Sequence, residues 1–300
     1  MSRPRNPRVF IVIVNWNGWQ DTLACLRSLE SLTYPNFDII VVDNGSTNDS
    51  VQQFKEARPS LRLIQTGENL GFAGGNNVAI RTAMDEDAAY VWLLNNDTLV
   101  APDALTALVN RSTSDAHPGV VGSKIYYASD PLRIWYAGGG FSRYGWTTHP
   151  GMNELDEGQF DVAGPTGYVT GCSLLASAQA IREVGLMSDD YFLYWEEVDW
   201  CARIAKAGRS VLYEPASIVW HKVSMSMGGE HSPAKARYEG RNRVLFYRRN
   251  RPARAPYVVA TTLAQSLWAA ILGRPRIGAA QAAGVVDGLL GRAGPIGAVR

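Results

Sequence analysis

Val9-Phe10-Ile11-Val12-Ile13-Val14-Asn15-Trp16-Asn17-Gly18 is the stretch that decides the fold. Its first six residues are apolar and mostly β-branched, the composition of a buried strand, and the polar residues from Asn15 end it in a loop. Trp19 to Leu32 then carries Leu23, Leu26 and Leu29 at helical spacing, and Phe37 to Val42 is a second strand run. Strand, helix and strand make a βαβ unit, and the alternation continues. Ser50 to Arg58 reads as a helix, Leu61 to Gln65 as a strand, Gly75 to Met84 as a helix and Val91 to Leu94 as a fourth strand. The handedness of βαβ connections places these four parallel strands in one doubly wound α/β sheet with helices on both faces.

Such sheets bind ligands beyond the carboxyl ends of their strands. Asn15-Trp16-Asn17-Gly18 follows the first strand, Asp43-Asn44-Gly45-Ser46-Thr47 the second, Thr66 to Phe72 the third and Asn95-Asn96-Asp97 the fourth. One edge therefore collects amides, carboxylates and glycines. Asp43 is suited to accept a hydrogen bond from a base N–H, and the glycines let a phosphate or sugar approach the backbone. Taken alone, Asp43 to Ser46 is equally a turn with a helix cap at Ser46 or Asn48. The glycine-rich stretch Gly71 to Asn77 follows the third strand, not the first, so it is not a dinucleotide fingerprint, and no P-loop motif is present.

The 300 residues are 46% apolar and 19% charged, enough for one substantial α/β domain with or without an appendage. A net charge of +1 argues against a chain devoted to nucleic acid. The charge is uneven: from Lys235 onward twelve Lys or Arg face only Glu239 and Asp287, a patch that seeks phosphate or an anionic surface. Cys25, Cys172 and Cys201 have no C-x-x-C spacing, so neither a disulfide framework nor a zinc site is expected, and a reduced, cytoplasmic setting fits. Met1 to Arg8 lacks the apolar centre of a signal peptide. Pro256 to Leu272 comes nearest to a membrane span, but Thr261, Thr262, Gln265 and Ser266 dilute it, and it reads as amphipathic.

Val14 to Gly18, Val41 to Thr47, Asn69 to Asn77, Leu93 to Asp97 and Tyr194-Trp195-Glu196-Glu197-Val198-Asp199-Trp200 occur in the order and spacing of the family 2 inverting glycosyltransferases, and the chain resembles their bacterial rhamnosyltransferase-like branch. The resemblance runs from Val9 to about Arg249. It implies a GT-A-type, Rossmann-like mixed sheet flanked by helices over residues 1–250, with 251–300 a C-terminal helical extension. It also implies a dTDP- or UDP-linked sugar donor, rhamnose favoured, a glycan or lipid-linked acceptor, and Mg²⁺ or Mn²⁺. Asn15, Asn17, Asp43, Asn69, Gly71, Phe72, Gly75 and Asn76 would line the donor. Asn95-Asn96-Asp97 occupies the place of the family's D-x-D motif. Only Asp97 is ionised there, so it is the expected metal ligand, with Asn95 and Asn96 on the ribose or sugar. His221 matches the family's metal-binding histidine; His117, His149 and His231 have no comparable placement. Arg203 and the Arg241-Asn242-Arg243 segment match places where relatives contact donor phosphates.

An inverting transfer needs a base for the acceptor hydroxyl. Glu197 is the expected base, standing where the family's E-D-x-D arrangement has Asp; Glu196 and Asp199 are alternatives, and all three also suit a helix N-terminus by charge. Trp195 is a candidate platform for the acceptor sugar, with core packing as its competitor. Gly171 and Cys172, within the turn Gly164 to Leu175, are expected to allow close backbone approach near the sugars, and Gly138 to Asp161 reads as a loop or hairpin insertion near the acceptor. The apolar, glycine-broken segments Pro256 to Leu272 and Ile277 to Leu290 fit helices lying on a membrane surface, with the catalytic core or a second subunit of a homodimer as the alternative. Two other classes compete: a sugar nucleotidyltransferase, for which Asn15 to Gly18 lacks the usual cation, and a catalytically silent nucleotide-sugar binding module, against which the intact acids of 196–199 argue.

Overall fold

The computed structural model describes residues 6–223 and 232–297. The alternating half consists of β1 (Val9–Asn15), α1 (Trp19–Leu29), β2 (Phe37–Asp43), α2 (Ser50–Ala57), β3 (Leu63–Gln65), α3 (Gly71–Asp85) and β4 (Tyr90–Leu94). It is followed by β5 (Thr98–Val100), α4 (Ala104–Ser114), β6 (Pro118–Tyr127), β7 (Asp130–Tyr136), β8 (Gly140–Phe141), β9 (Thr147–Thr148), β10 (Gly164–Pro165) and β11 (Ser173–Ser177). Then come α5 (Ala178–Val184), α6 (Glu196–Lys206), β12 (Ser210–His221), α7 (Pro233–Asn250), α8 (Ala255–Ile271) and α9 (Pro275–Leu289).

β3, β2, β1 and β4 are parallel neighbours in that order, as the βαβ reading requires. The sheet does not stop there. β11 adds antiparallel to β4, β6 adds antiparallel to β11, and β12 runs parallel to β6, giving a mixed sheet flanked by helices. β1 and β4 lie in the middle, and every residue of Tyr90–Leu94 is buried, which is why their sequences are continuous apolar runs. A buried polar chain crosses the later strands: Trp92 Nε1 donates to Ser173 Oγ at 3.0 Å, and Ser123 bonds both Ser173 and Ser217. Each of these groups is satisfied, so the core keeps them without an orphaned donor.

β5 is short but decisive. It leaves the main path after Asn95 to Asp97 and pairs antiparallel with the end of β12, setting Thr98 opposite His221. The insertion predicted over Gly138 to Asp161 contains the hairpin of β8 and β9. Its far end is tied to the sheet by the buried Lys124, which pairs with Asp156 and Asp161. At the C-terminus, α9 lies along α7, and Asp287 is held by Arg237 and Arg292 at 2.8 and 2.7 Å.

Candidate active site

The loops after β1, β2 and β3 interlock through their own amides. Asn15 Nδ2 donates to Asp43 Oδ2 at 2.9 Å, and Asn15 Oδ1 accepts from Thr22 Oγ1 and the Gly18 N–H. Asn17, with a φ of 58°, turns its Oδ1 to the Thr47 and Asn48 N–H groups. Asn44, buried, bridges to the third loop: its Nδ2 donates to Gly71 O and Asn69 Oδ1, and its Oδ1 accepts from the Leu70 N–H. The edge is thus pre-organised with Asp43 at its base, and the carboxylate is only 3% exposed. Asn76 bonds back to Phe72 O within α3.

The glycines of the third loop serve the protein itself. Gly71 has a φ of +74°, and a Cβ there would stand 2.2 Å from Phe192 O; at Gly75 one would press on Val14 and Asn44 at 3.0 and 3.1 Å. The space expected for a sugar or phosphate at these two positions is filled by backbone and side chains of the chain. Phe72 follows, its N–H bonded to Phe192 O at 2.7 Å, and so couples the donor edge to the loop before α6.

After β4, Asn96 Nδ2 donates to Gly18 O and Thr22 Oγ1, while the Asn95 N–H donates to Cys172 O at 3.0 Å. Asp97 points the other way, its Oδ1 3.1 Å from His221 Nε2, with both side chains 8% exposed. Burial disfavours the His221 cation, but the neighbouring Cys172 and Asp97 outweigh it and hold the imidazole up at about 10. His221 Nδ1 has no hydrogen-bond partner. Among the described residues no three His, Cys, Asp or Glu side chains gather into a closed metal cage. The two donors of Asp97 and His221 suit a divalent cation that takes its remaining ligands from diphosphate oxygens and water. The arrangement therefore fits Mg²⁺ or Mn²⁺ with a donor bound.

Two aromatic neighbours of His221 were not legible in the sequence. Trp135 lies T-shaped to the His221 ring at 4.6 Å between centroids, and His149 packs against Trp135 at 4.9 Å. Burial pushes the His149 imidazole down to about 4, so it is neutral in this wall. His117 bonds its backbone to Asp115 and Ser210 away from this edge, and His231 lies outside the described residues.

The acids of α6 are presented by a strained turn. Phe192, Tyr194 and Trp195 have φ values of 63°, 68° and 77°, an uncommon run for non-glycine residues. Asn242 of α7 holds the turn: its Nδ2 donates to Tyr191 O, Leu193 O and Tyr194 O at 2.8–2.9 Å. Glu196 and Glu197 emerge from it side by side, each with one buried, unpartnered carboxyl oxygen. Burial and the adjacent Glu197 push Glu196 well above the usual carboxylate range; burial also raises Glu197, against the opposing pull of nearby backbone N–H groups. The dipeptide Gly171-Cys172 runs between the two acid clusters: a Cβ on Gly171 would stand 3.9 Å from Glu197 Cβ, and the Cys172 carbonyl accepts from the Asn95 N–H at 3.0 Å, with the thiol close enough to His221 to influence its charge. A Cβ at Gly171 would stand 2.8 Å from the Phe72 ring, so glycine lets that ring lie directly against the dipeptide.

Four expected site residues have other occupations. Asp199 accepts from Tyr191 Oη, Arg203 Nε and Asn250 Nδ2 at 3.0, 2.8 and 2.7 Å, which leaves it a buried strut instead of an alternative base. Arg203 spends its other donors on Val184 O and Leu186 O, fastening α6 to the turn after α5 and not reaching for phosphate. Arg241 is 1% exposed and donates to Tyr191 O and Gly294 O, so it too is an internal clamp. Trp195 is 4% exposed and packs on Phe246 at 5.1 Å, leaving no indole face for an acceptor sugar. In each case the polar or aromatic group satisfies the fold's own demands, which spacing in the sequence does not reveal.

A family model described as Glycosyl transferase family 2 matches residues 10–185. The N-acetylglucosaminyl-diphospho-decaprenol L-rhamnosyltransferase of Mycobacterium tuberculosis is 28% identical over 240 residues, 73% of this chain and 77% of that protein. The dTDP-rhamnosyl transferase RfbF of Shigella flexneri is 23% identical over 256 residues, 82% of this chain and 81% of the relative. Among solved structures, the mannosyltransferase PcManGT from Pyrobaculum calidifontis, in complex with GDP-Man and Mn²⁺, superposes with a TM-score of 0.61 at 19% identity, covering 95% of this chain and 87% of its own.

Proposed function

The chain belongs to glycosyl transferase family 2, and from that premise we propose that it moves a sugar, rhamnose in first place, from a nucleoside diphosphate to an acceptor hydroxyl with inversion at the anomeric carbon. The observation that supports this reading is the Gly171-Cys172 dipeptide, which links the neighbourhood of the half-buried Glu197 to the loop that carries Asn95 and the Asp97–His221 pair, on the edge that also carries Asp43 and Asn15. The names of the two bacterial relatives support rhamnose and a dTDP donor, and that of the first supports a lipid-linked acceptor. An acceptor of that kind places the enzyme peripherally at the inner face of the cell membrane. No helix among the described residues is long and apolar enough to cross one.

Asp43, held in place by the buried Asn15, would accept hydrogen bonds from the donor base or ribose, and Asn95 and Asn96 would lie nearer the sugar. The Glu197 carboxylate takes the acceptor proton as the hydroxyl oxygen attacks the anomeric carbon, and the bond to the diphosphate breaks on the opposite face. Burial, by raising Glu197, strengthens it as a base near neutral pH. Asp97 and His221 would hold Mg²⁺ or Mn²⁺, which when bound supplies Lewis-acid stabilisation of the charge left on the diphosphate. The family match sets the nucleotidyltransferase reading aside.

Melting curves with dTDP, UDP and GDP, each with and without Mn²⁺, test the donor: a ligand that binds only the native state raises the melting temperature. The largest Mn²⁺-dependent rise is expected with dTDP. A larger rise with UDP or GDP would overturn the dTDP assignment, and none with any would overturn the donor site.

A further inference from the structure

α8 is folded inside out. Its buried residues are Val258, Thr262 and Ser266, while Leu263, Leu267, Trp268, Ile271 and Leu272 at its end point to solvent, with Leu267 65% and Trp268 60% exposed. The orientation is specified and not adventitious. Gln265 Oε1 accepts from Trp146 Nε1 at 2.6 Å and also from Arg243, and Ser266 Oγ bonds Gln281 of α9 at 3.0 Å. Rotating α8 to bury its leucines would break all of these.

The partner helices approach through small residues. A Cβ on Gly278 would lie 2.2 Å from Ser266 O, and one on Gly284 2.2 Å from Arg237 O. Helices that pack backbone to backbone leave their large apolar side chains facing outward, as in lipid. The outward face continues onto α9, where Leu289 lines a groove with Pro256 and Val259.

Charge identifies the occupant. No charged residue falls between Ala255 and Gly273, and exposed Arg254, Arg274 and Arg276 flank that stretch. From Arg241 to the end of the chain the one acid is Asp287, which is buried and paired with Arg237 and Arg292. An apolar face rimmed only by cations complements an anionic lipid surface. Two copies meeting about a twofold axis would set the same arginines against each other.

We propose that the outward face of α8, extended by the end of α9, is the surface by which the protein lies in the interface of an anionic bilayer. The proposal rests on this surface and not on the chemistry assigned above, although it suits a lipid-linked acceptor. Flotation of the full chain with phosphatidylcholine vesicles, with and without phosphatidylglycerol, tests it. Wild type is expected to float with the anionic vesicles and to be released by salt. The double variant Leu267→Gln/Trp268→Gln should lose roughly tenfold or more in vesicle affinity, and Arg274→Glu/Arg276→Glu a comparable amount on anionic vesicles alone. The melting temperature and its rise with nucleotide and Mn²⁺ should stay at wild-type values in both, so failure of the donor site would be seen separately. Wild type that does not float, or a Leu267/Trp268 variant that floats equally well, overturns the proposal. So does a dimer in sedimentation that the same variant dissolves, which would give the face to a second copy.

Discussion

Asp97 Oδ1 stands 3.1 Å from His221 Nε2 because a three-residue strand, β5, pairs with the end of β12 and sets Thr98 opposite His221. Each residue closes an apolar run, and neither run signals the other. The pair is the proposed protein share of a metal site, and its removal is the most direct test of that proposal.

Asp97→Asn and His221→Ala should each weaken Mn²⁺ binding in the presence of nucleoside diphosphate by about 100-fold or more, since partners one shell further out already account for roughly 10–100-fold. Calorimetry checks this. Because His221 without metal is held up at about 10, wild type should release about one proton per Mn²⁺ bound near neutral pH. Unchanged affinity in both variants would remove the site.

Glu197→Gln should lower kcat by roughly 10²–10⁴-fold, the range for loss of a general base. Glu196→Gln should be far milder, because burial and Glu197 already favour the neutral form of Glu196, which the amide imitates. Nucleoside diphosphate release by the two variants decides between them; the reverse ranking would exchange their assignments.

The same two acids set a pH dependence of stability. Their folded values lie above the ordinary 4.5, so the native state holds protons that the unfolded chain has lost. Their contribution is full below about 4.5 and falls away as pH rises through the folded values. Denaturant midpoints should therefore show a smaller loss on raising pH above 4.5 in Glu196→Gln than in wild type. Parallel curves would refute the shift.

Asp199→Asn should unfold more easily by roughly 1–3 kcal/mol, the scale for losing charge-assisted hydrogen bonds at a buried acid, while turnover per folded molecule stays within a few-fold of wild type. Urea titration and active-site counting separate the two. A collapse of kcat in fully folded protein would return Asp199 to the chemistry.

Asn242→Ala should cost about 1–3 kcal/mol, the scale for leaving buried carbonyls unpaired, and lower kcat more than it raises KM, because it releases the turn that aims Glu197. An equal effect on both kinetic constants would show that the turn keeps its shape without the amide.

The four parallel strands were legible because continuous β-branched runs and leucines at helical spacing are local signals, and their ends came within a few residues of the observed ones. In the sequence α3 reads as starting late, at Gly75, since Gly71 to Gly74 reads as a loop; Gly71 and Gly74 are glycine there because Phe192 O and Leu70 occupy the space a side chain would need. Arg241 and Trp195 misled for the opposite reason. An arginine or indole beside an acidic motif looks the same in sequence whether it meets a ligand or a carbonyl and a core.

What the chain determined by itself is the alternation of strand and helix and the kind of side chain carried at each strand end, because hydrophobic period and loop chemistry are properties of neighbouring residues. Only the tertiary structure decided which of those side chains meet. The pairing of β5 with β12 makes Asp97 and His221 a pair, glycine at 171 lets the Phe72 ring come close to a dipeptide that also lies near Glu197, and Asn242 holds a turn far away in sequence. It also decided that α8 faces outward, since the polar partners fixing its inner face, Trp146, Arg243 and Gln281, come from three separate segments. Contacts between distant segments depend on how the sheet closes, and a local pattern carries no record of that.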